Sequence, residues 1–518
     1  MARSFQKPKN KPNKPAVLAP VQPMQVNEVS RNAFSLAYNL HNAGRLQESK
    51  VVYELLLSLY PLDFDVIHLL GTNLYQLGDL DSSLPLLEKA VEIAPDVAEA
   101  WSNYGNVLKL KGQYEKALVA YKKSVKLKPD GYTDNLCNIG GVLYDMGRFD
   151  EAEEYLLKAV NLGAHKAECL NNLGLLTKHR EPTLALEHFQ KAIDDKPDME
   201  DAYWNKALVH LMLGEYIEGW NLFEHRYASG AIYHHGIDTP HWNGEDLTGK
   251  TILIHSEQGY GDSVQFCRYL PLLKTQFNAA EVIFLCQPPL VKLIQQSLPT
   301  VDVRPLVSNT IGFQFQFHAP LMSLPRGFKT LVETIPNQLP YLTVNPETST
   351  KFAEKLSSVT KLKCGLVWAG GNRPGFAKAS LVDKRRSMKL EYLKPILKNN
   401  PDVYFVSLQK DESANQLTPD YPVESTLITE CSDFADTAAL INNLDLVITI
   451  DSSVSHVTAA LGKPTLILSR YDQCWRWLWK RTDSPWYPNA VTLFQQTNSG
   501  DWTQPVNQVS DFLSKFQR

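Results

Sequence analysis

The sequence predicts an α + α/β protein: an α-helical solenoid followed by two Rossmann-like α/β units. Three observations carry this reading. Residues 27–224 repeat themselves about every 34 positions. Beyond Lys250, short β-branched runs alternate with helical periods, the pattern of a parallel sheet covered by helices. Residues 444–463, LDLVITIDSSVSHVTAALGK, pass from an apolar strand into a polar elbow and then an Ala-rich helical stretch, stopped by Gly462 and Pro464. In an open α/β sheet such an elbow binds ligands, because strand ends and helix N-terminal amides converge there. The structural alternative is that Asp451 or Ser453 only caps the helix while His456 packs or faces solvent.

Length and composition agree with several domains. The chain has 518 residues, more than a single core of roughly 250–300 residues holds. Its 44% apolar and 21% charged residues are ordinary for a soluble protein, and a net charge of −4 gives no case for nucleic-acid binding. Residues 1–26 carry five Lys/Arg and repeated Pro, with no acid before Glu28. They read as a disordered basic, Pro-rich tail without the apolar core of a secretory signal. No apolar stretch reaches membrane-spanning length. The seven cysteines are scattered without a CxxC pair, which favours a reduced, cytoplasmic setting over disulfides or zinc.

The clearest repeat is residues 98–129, AEAWSNYGNVLKLKGQYEKALVAYKKSVKLKP. A glycine recurs between its helices and their counterparts at Gly44, Gly78, Gly112, Gly147 and Gly214. Small residues let the two helices of a unit approach, aromatics fill the space between units, and Gly or Pro ends each helix. Trp101, Tyr104, Gly105, Leu108, Ala117, Tyr121 and Pro129 stand where the tetratricopeptide repeat has its signature residues. Residues 27–225 resemble that family in five to six copies. The resemblance implies a concave groove for a protein or peptide; alternatively the array only supports or dimerises the second half, and a homo-oligomer is compatible with either.

Residues 226–249 break the helical period as a linker. His234, His235 and His241 lack an accompanying acid-and-histidine set at ligand spacing, so no metal site is expected. Trp242-Asn243-Gly244 is expected to pack the last repeat against the α/β half of the chain. Residues 250–345 form the first α/β unit, with strands at 251–255, 280–286 and 301–306, a helix from the 257–262 loop to about 272, and a return towards the sheet near 315–324. Residues 336–357 read as a link. The second unit, residues 358–500, has strands at 363–368, 403–408, 444–450 and 465–468, and residues 501–518 hold a C-terminal helix.

Three polar groups fall at the predicted strand ends. In the first, Gln258, Gly259 and Gly261 lead to Asp262, which can cap a helix or act as a general base. This is not a dinucleotide fingerprint, since Val264 stands at the third glycine of GxGxxG. The second joins Trp368, Gly370, Gly371 and Asn372 to the basic run Lys384-Arg385-Arg386 and Ser387, suited to a diphosphate. The third is Asp451, Ser452, Ser453 and His456, with Asp433 and Asp436 upstream.

With EQGYGDSVQFCRYLP, GLVWAGGN, RRS, DFADTAALI, DSSVSHVTAALGKP and WRWLWKRTDSPWYP, residues 242–502 resemble the family-nine glycosyltransferases, the heptosyltransferase group. More closely, the chain is similar to bacterial proteins that fuse tetratricopeptide repeats to this domain. The resemblance implies an N-terminal tetratricopeptide-repeat α-solenoid followed by a GT-B fold of two Rossmann-like α/β units. It makes the first the acceptor unit and the second the donor unit. Asp262 matches the GD acid implied to deprotonate the acceptor hydroxyl, with Gln258, Gly259 and Gly261 in the acceptor loop. Asp451, Ser452 and His456 match the donor-phosphate motif D-[ST]-G-x-x-H, and Ser453 stands where that motif has glycine. Trp368, Gly370, Gly371, Asn372, Arg386 and Ser387 complete the implied donor set, without fixing which of Lys384, Arg385 and Arg386 meets phosphate. The WRW and SPWYP aromatics are expected to pack the final helix, or else to line the cleft. The implied activity is inverting, metal-independent transfer from a nucleotide-diphosphate sugar, a co-substrate rather than a cofactor. The repeats argue for a protein acceptor such as a flagellin-like or other surface protein. A lipopolysaccharide or capsule acceptor, or a catalytically silent adaptor, are the rival readings.

Overall fold

The computed structural model describes residues 28–129, 133–163, 166–229, 237, 239–307, 314–371 and 377–516. The predicted tail 1–26, His234, His235 and Asn372 therefore lie outside the described residues.

Among the described residues the chain opens with six antiparallel helix pairs: α1 (Glu28–Asn42) and α2 (Leu46–Leu59), α3 (Phe64–Leu77) and α4 (Leu80–Ile93), α5 (Ala98–Leu110) and α6 (Tyr114–Leu127), α7 (Thr133–Asp145) and α8 (Phe149–Asn161), α9 (Ala167–Thr177) and α10 (Pro182–Asp195), α11 (Glu200–Leu213) and α12 (Tyr216–Phe223). The periodic small residues have a direct packing role. A Cβ on Gly71, Gly105, Gly140 or Gly174 would stand 2.4–2.9 Å from Leu87, Tyr121, Leu156 or Phe189 of the facing helix. The turn glycines Gly44, Gly78, Gly112, Gly147 and Gly214 all take left-handed backbone, φ +72° to +83°.

The first α/β unit contains β1 (Thr251–His255), α13 (Tyr260–Phe266), α14 (Leu270–Phe277), β2 (Glu281–Cys286), α15 (Val291–Ser297), β3 (Asp302–Pro305), β4 (Phe317–Pro320) and α16 (Leu324–Gly327). Helix α17 (Pro346–Lys355) leads to the second unit: β5 (Leu362–Val367), α18 (Ala377–Arg386), α19 (Lys394–Asn399), β6 (Val403–Ser407), β7 (Val423–Glu424), α20 (Phe434–Asn442), β8 (Leu446–Ile450), α21 (Ser453–Ala460), β9 (Thr465–Ser469) and β10 (Val491–Gln495). Helix α22 (Thr503–Lys515) ends the described chain.

Both sheets are parallel, ordered β3-β2-β1-β4 and β10-β9-β8-β5-β6-β7. Counted within each unit, the second sheet runs 3-2-1-4-5-6, the Rossmann order, and the first repeats its opening four strands. The strand order reverses between β5 and β8 in the second unit and between β1 and β4 in the first. Ligands bind outside the carboxyl ends of strands at such reversals.

The last repeats are not separate from these units. Phe189, Leu211, Trp220 and Phe223 share one continuous core with both sheets, whereas the earlier repeats bury clusters of their own. The second unit meets the array at the turns inside repeats four to six, and at α12 through its tryptophans. Arg385 donates to the Asp145 carbonyl, Ser499 to the Gly147 carbonyl (3.3 Å), the Trp479 indole to the His179 carbonyl (3.2 Å) and the Trp479 amide to the Met212 carbonyl (2.9 Å). No helix among the described residues is long and apolar enough to cross a membrane.

Several local expectations are corrected. Among the described residues the ring partners of Trp242 are Phe277 and Phe328, over Gly327 of the first unit, rather than an aromatic of the last repeat. That bridging role falls to aromatics of the WRW and SPWYP blocks, expected on the final helix or else along the cleft: Trp475 packs on Trp220 (5.4 Å) and the Trp486 indole donates to Tyr216 (3.0 Å), while Trp477 and Tyr487 lie against His456. The supposed link contains α17, whose Asn345 side chain caps Thr348 N–H at 3.0 Å and whose Phe352 is buried. The helix expected from the 257–262 loop to residue 272 is interrupted by a 3-10 turn at Cys267–Tyr269.

Candidate active site

At the reversal in the second sheet, the ends of β5 and β8 are tied together through α18. Arg386 donates to the Asp451 carbonyl (2.9 Å) and pairs with Asp383 (2.7 Å). Its guanidinium lies against Gly370, where a Cβ would stand 2.8 Å from Nε, so a larger residue there would push the guanidinium away. Ser387 Oγ accepts the Gly370 N–H (2.9 Å) and donates to the Asp383 carbonyl (2.6 Å). Of the basic run, Arg386 alone reaches the elbow: Arg385 turns to Asp472 and the repeats, and Lys384 is exposed. Gly371 is exposed, with nothing within 4 Å of a Cβ. The Trp368 side chain is wholly buried beneath the elbow, and its amide and that of Ala369 both donate to Gln409 (3.1 Å each).

The elbow after β8 differs from a simple cap. Ser452, not Asp451 or Ser453, is the residue before α21, and its side chain makes no capping bond; it meets Thr449 Oγ1 at 3.1 Å. Amides at this helix start are thereby left without a side-chain oxygen, the arrangement that receives anions. Ser453 is the first residue of α21 with helical backbone, so the departure from glycine costs no strain. His456 is buried, bonded through Nδ1 to Tyr487 Oη (2.8 Å) and stacked on Trp477. Burial pushes its imidazole down to about 4, against the pull of Asp451.

The first unit presses on this elbow. A Cβ on Gly261 would stand 2.7 Å from His456 Cδ2 and 3.5 Å from Ser453 Cα. The glycine expected to admit a ligand instead admits the facing helix α21. Asp262 Oδ2 accepts the Gly259 N–H at 2.9 Å, the capping role, while Oδ1 forms an ion pair with Arg476 of the second unit. Gln258 contributes its carbonyl to the Gln287 amide at 2.7 Å. Asp262, Gly261, Ser453 and His456 are thus brought together, with Arg386, Ser387 and Asp451 on the far side of the same elbow.

Sequence reasoning missed two groups. Arg476 sits in the WRW block, whose aromatics masked it. Glu257, next to Gln258, is buried with Arg226 (1% and 0% exposed); it accepts from Arg226 Nε (2.9 Å) and Nη2 (3.0 Å), Tyr227 Oη (2.5 Å) and Met322 N–H (3.1 Å). Arg226 also meets Glu224 (2.8 Å) and Ser323 (2.7 Å), so the end of the solenoid grips the loop that carries Asp262.

Fold and site together define a repeat solenoid joined to a nucleotide-type α/β pair. Comparison with known families agrees: residues 62–130 and 133–197 match the tetratricopeptide repeat, and residues 391–505 match glycosyltransferase family 9 (heptosyltransferase). The chain therefore carries tetratricopeptide repeats and a family 9 glycosyltransferase domain. The matched transferase segment includes Asp451, His456 and Arg476 and leaves Asp262 outside it. Along most of its length the chain is similar to Protein FlbA of Caulobacter vibrioides, 24% identical over 87% of this chain and 84% of FlbA. Type IV pilus assembly protein PilF of Pseudomonas aeruginosa is 29% identical over 24% of this chain, and the chain spans half of PilF. Among solved structures, MamA aligns with 33% of the chain and 94% of its own, at 20% identity and a TM-score of 0.29.

Proposed function

We propose that the protein transfers a sugar from a nucleoside diphosphate sugar to an acceptor hydroxyl, on a protein held by the repeats. The observation that carries this is the meeting of Asp262, from one Rossmann-order unit, with the elbow of the other, where Arg386, Ser387 and an α21 start without a side-chain cap converge. In a GT-B arrangement the two units part to admit the substrates and close over them, excluding water that would hydrolyse the donor. Asp262 takes the proton of the acceptor hydroxyl as the oxygen attacks the anomeric carbon, and the bond to the diphosphate breaks from the opposite face, inverting that centre. Arg386 and the α21 amides take up the charge of the departing diphosphate. Protein groups supply that positive charge, so the reading requires no divalent metal. It puts the reaction in the cytoplasm, with a flagellin-like or other surface protein as the acceptor class.

The test uses the full chain with a panel of radiolabelled nucleotide sugars, with and without a chelator. Wild type should release nucleoside diphosphate from one donor, with or without chelator, and Asp262→Ala should lose at least ~100-fold of that rate. Label should enter acid-precipitable protein when host lysate is added; label in lipid or oligosaccharide instead would move the acceptor to a glycan. Absence of binding to any donor at millimolar concentration would remove the transferase reading and leave a repeat-based adaptor.

A further inference from the structure

The ion pair between Asp262 and Arg476 is hard to reconcile with a base that is always ready. Arg476 is buried, its side chain 11% exposed, and Asp262 is the one carboxylate it meets among the described residues. Its remaining contacts are soft or apolar: Nη1 to Cys474 Sγ at 3.2 Å, Nη2 near Met322 Sδ, and the Trp475 ring face at 4.5 Å. Nε is buried without a partner among the described residues, so a donor remains unused on the same guanidinium. Asp262 has one oxygen held by the Gly259 amide and the other by Arg476. Both oxygens are therefore already bonded, one of them in a charge-assisted pair that an acceptor hydroxyl would have to displace.

Something has to draw the guanidinium away before Asp262 can take a proton. The pair joins the two units at the α13–α21 contact, beside the elbow where the donor diphosphate is placed. Arg476 also lies within electrostatic reach of Asp451. A diphosphate brings more negative charge than one carboxylate, and the planar fork of arginine matches phosphate oxygens in a bidentate fashion. The unused Nε makes a second bond available to an oxyanion that Asp262 does not use.

We propose that Arg476 is a latch on the base: it holds Asp262 in the donor-free protein and transfers to the donor diphosphate when this arrives, freeing Asp262 for the acceptor. The inference rests on the transferase reading above and adds an order to it, donor before acceptor. It also gives Arg476 a double role, as a diphosphate ligand and as the residue that keeps the base occupied until a donor is in place.

The experiment measures binding of inorganic pyrophosphate, the part common to every nucleoside diphosphate sugar, to the full chain by calorimetry. Asp262→Asn keeps the size and the acceptor for the Gly259 amide but gives up the charge that competes for Arg476. Pyrophosphate should then bind roughly tenfold tighter than to wild type, the scale of one charge-assisted contact. Arg476→Gln should weaken binding roughly tenfold, and Arg476→Lys, which keeps the charge but loses the planar fork, should recover only part of that loss. The double variant Asp262→Asn/Arg476→Gln should bind no tighter than Arg476→Gln alone, because the gain runs through Arg476. An equal gain in the Arg476→Gln background would show a general field effect and overturn the latch. Wild type binding with no gain in Asp262→Asn would also overturn it, leaving the pair as a tie between units and the transferase reading intact. Wild type failing to bind either pyrophosphate or any nucleoside diphosphate would overturn both. If Arg476→Gln does not fold, Asp262→Asn and Arg476→Lys decide the matter: no gain in the first, or binding in the second as tight as in wild type, counts against the latch.

Discussion

Replacing Arg226 by Met should damage the protein more than any exposed ion pair would. The carboxylate of Glu257 would stay buried with Tyr227 and Met322 as donors and lose both bonds from the guanidinium. Removing one partner of a buried pair costs about 3–5 kcal/mol, because the remaining charge is uncompensated. The pair lies in the core that runs from Ala185 to Leu513. Over those roughly 330 residues, at ~2.1 cal/mol/K each, the loss lowers the melting temperature by about 4–7 °C. Scanning calorimetry on the full chain reads this in the transition of the α/β units. A second variant separates charge from packing: Arg226→Met/Glu257→Gln removes the stranded charge yet keeps an oxygen for Tyr227 and Met322, and should recover about half of the loss. A fall below about 1 °C in the single variant, or a double variant no better than the single, would refute the account.

Three further outcomes rest on the same core and on His456. Burial holds that imidazole at about 4, while the unfolded chain protonates it near 6.5. The stability it confers is therefore complete above ~6.5 and drains as pH falls towards ~4, by up to roughly 3 kcal/mol. Relative to His456→Gln, wild type should lose melting temperature between about pH 7.5 and about pH 5; a constant difference over that range would count against the buried neutral ring. Deleting repeats one to three should lower stability, because the cut opens the cluster that joins repeats two to five, yet leave pyrophosphate binding, since those repeats share no core with the α/β units. Deleting the whole array should give insoluble protein, because Trp475, Trp486 and Phe266 lose the Trp220 and Tyr216 they pack on, at ~1.5–3 kcal/mol for each large side chain exposed. Soluble yield and pyrophosphate binding check both.

The parts legible in the sequence were those set by local chemistry. Gly71, Gly105, Gly140 and Gly174 repeat because each sits under a large side chain of its partner helix, and that periodicity can be read in one dimension. The strand 444–450 and its elbow were legible because a strand buried on both faces has no polar alternation. Arg476 was not, since its partner is 214 positions away and its neighbours are tryptophans that read as packing. Trp242 was misassigned for a related reason: nothing local says which of two apolar surfaces an indole will choose. Helix α17 is different, because Asn345 followed by Pro346 is a legible start signal that the Pro and Thr around it obscured.

Attachment of the second unit through the turns of repeats four to six has a consequence for how such proteins diversify. Each repeat contacts mainly its neighbours, so an array is lengthened or shortened by whole units without disturbing distant ones. Here the chemistry is bolted to the C-terminal end of the series, at Asp145, Gly147, His179 and Met212. Gain or loss of a unit before α7 changes the span and rotation available to cargo while the geometry around Asp262 stays as it was. Under the proposed function, the choice of bound protein and the transfer reaction can then evolve on separate schedules within one chain.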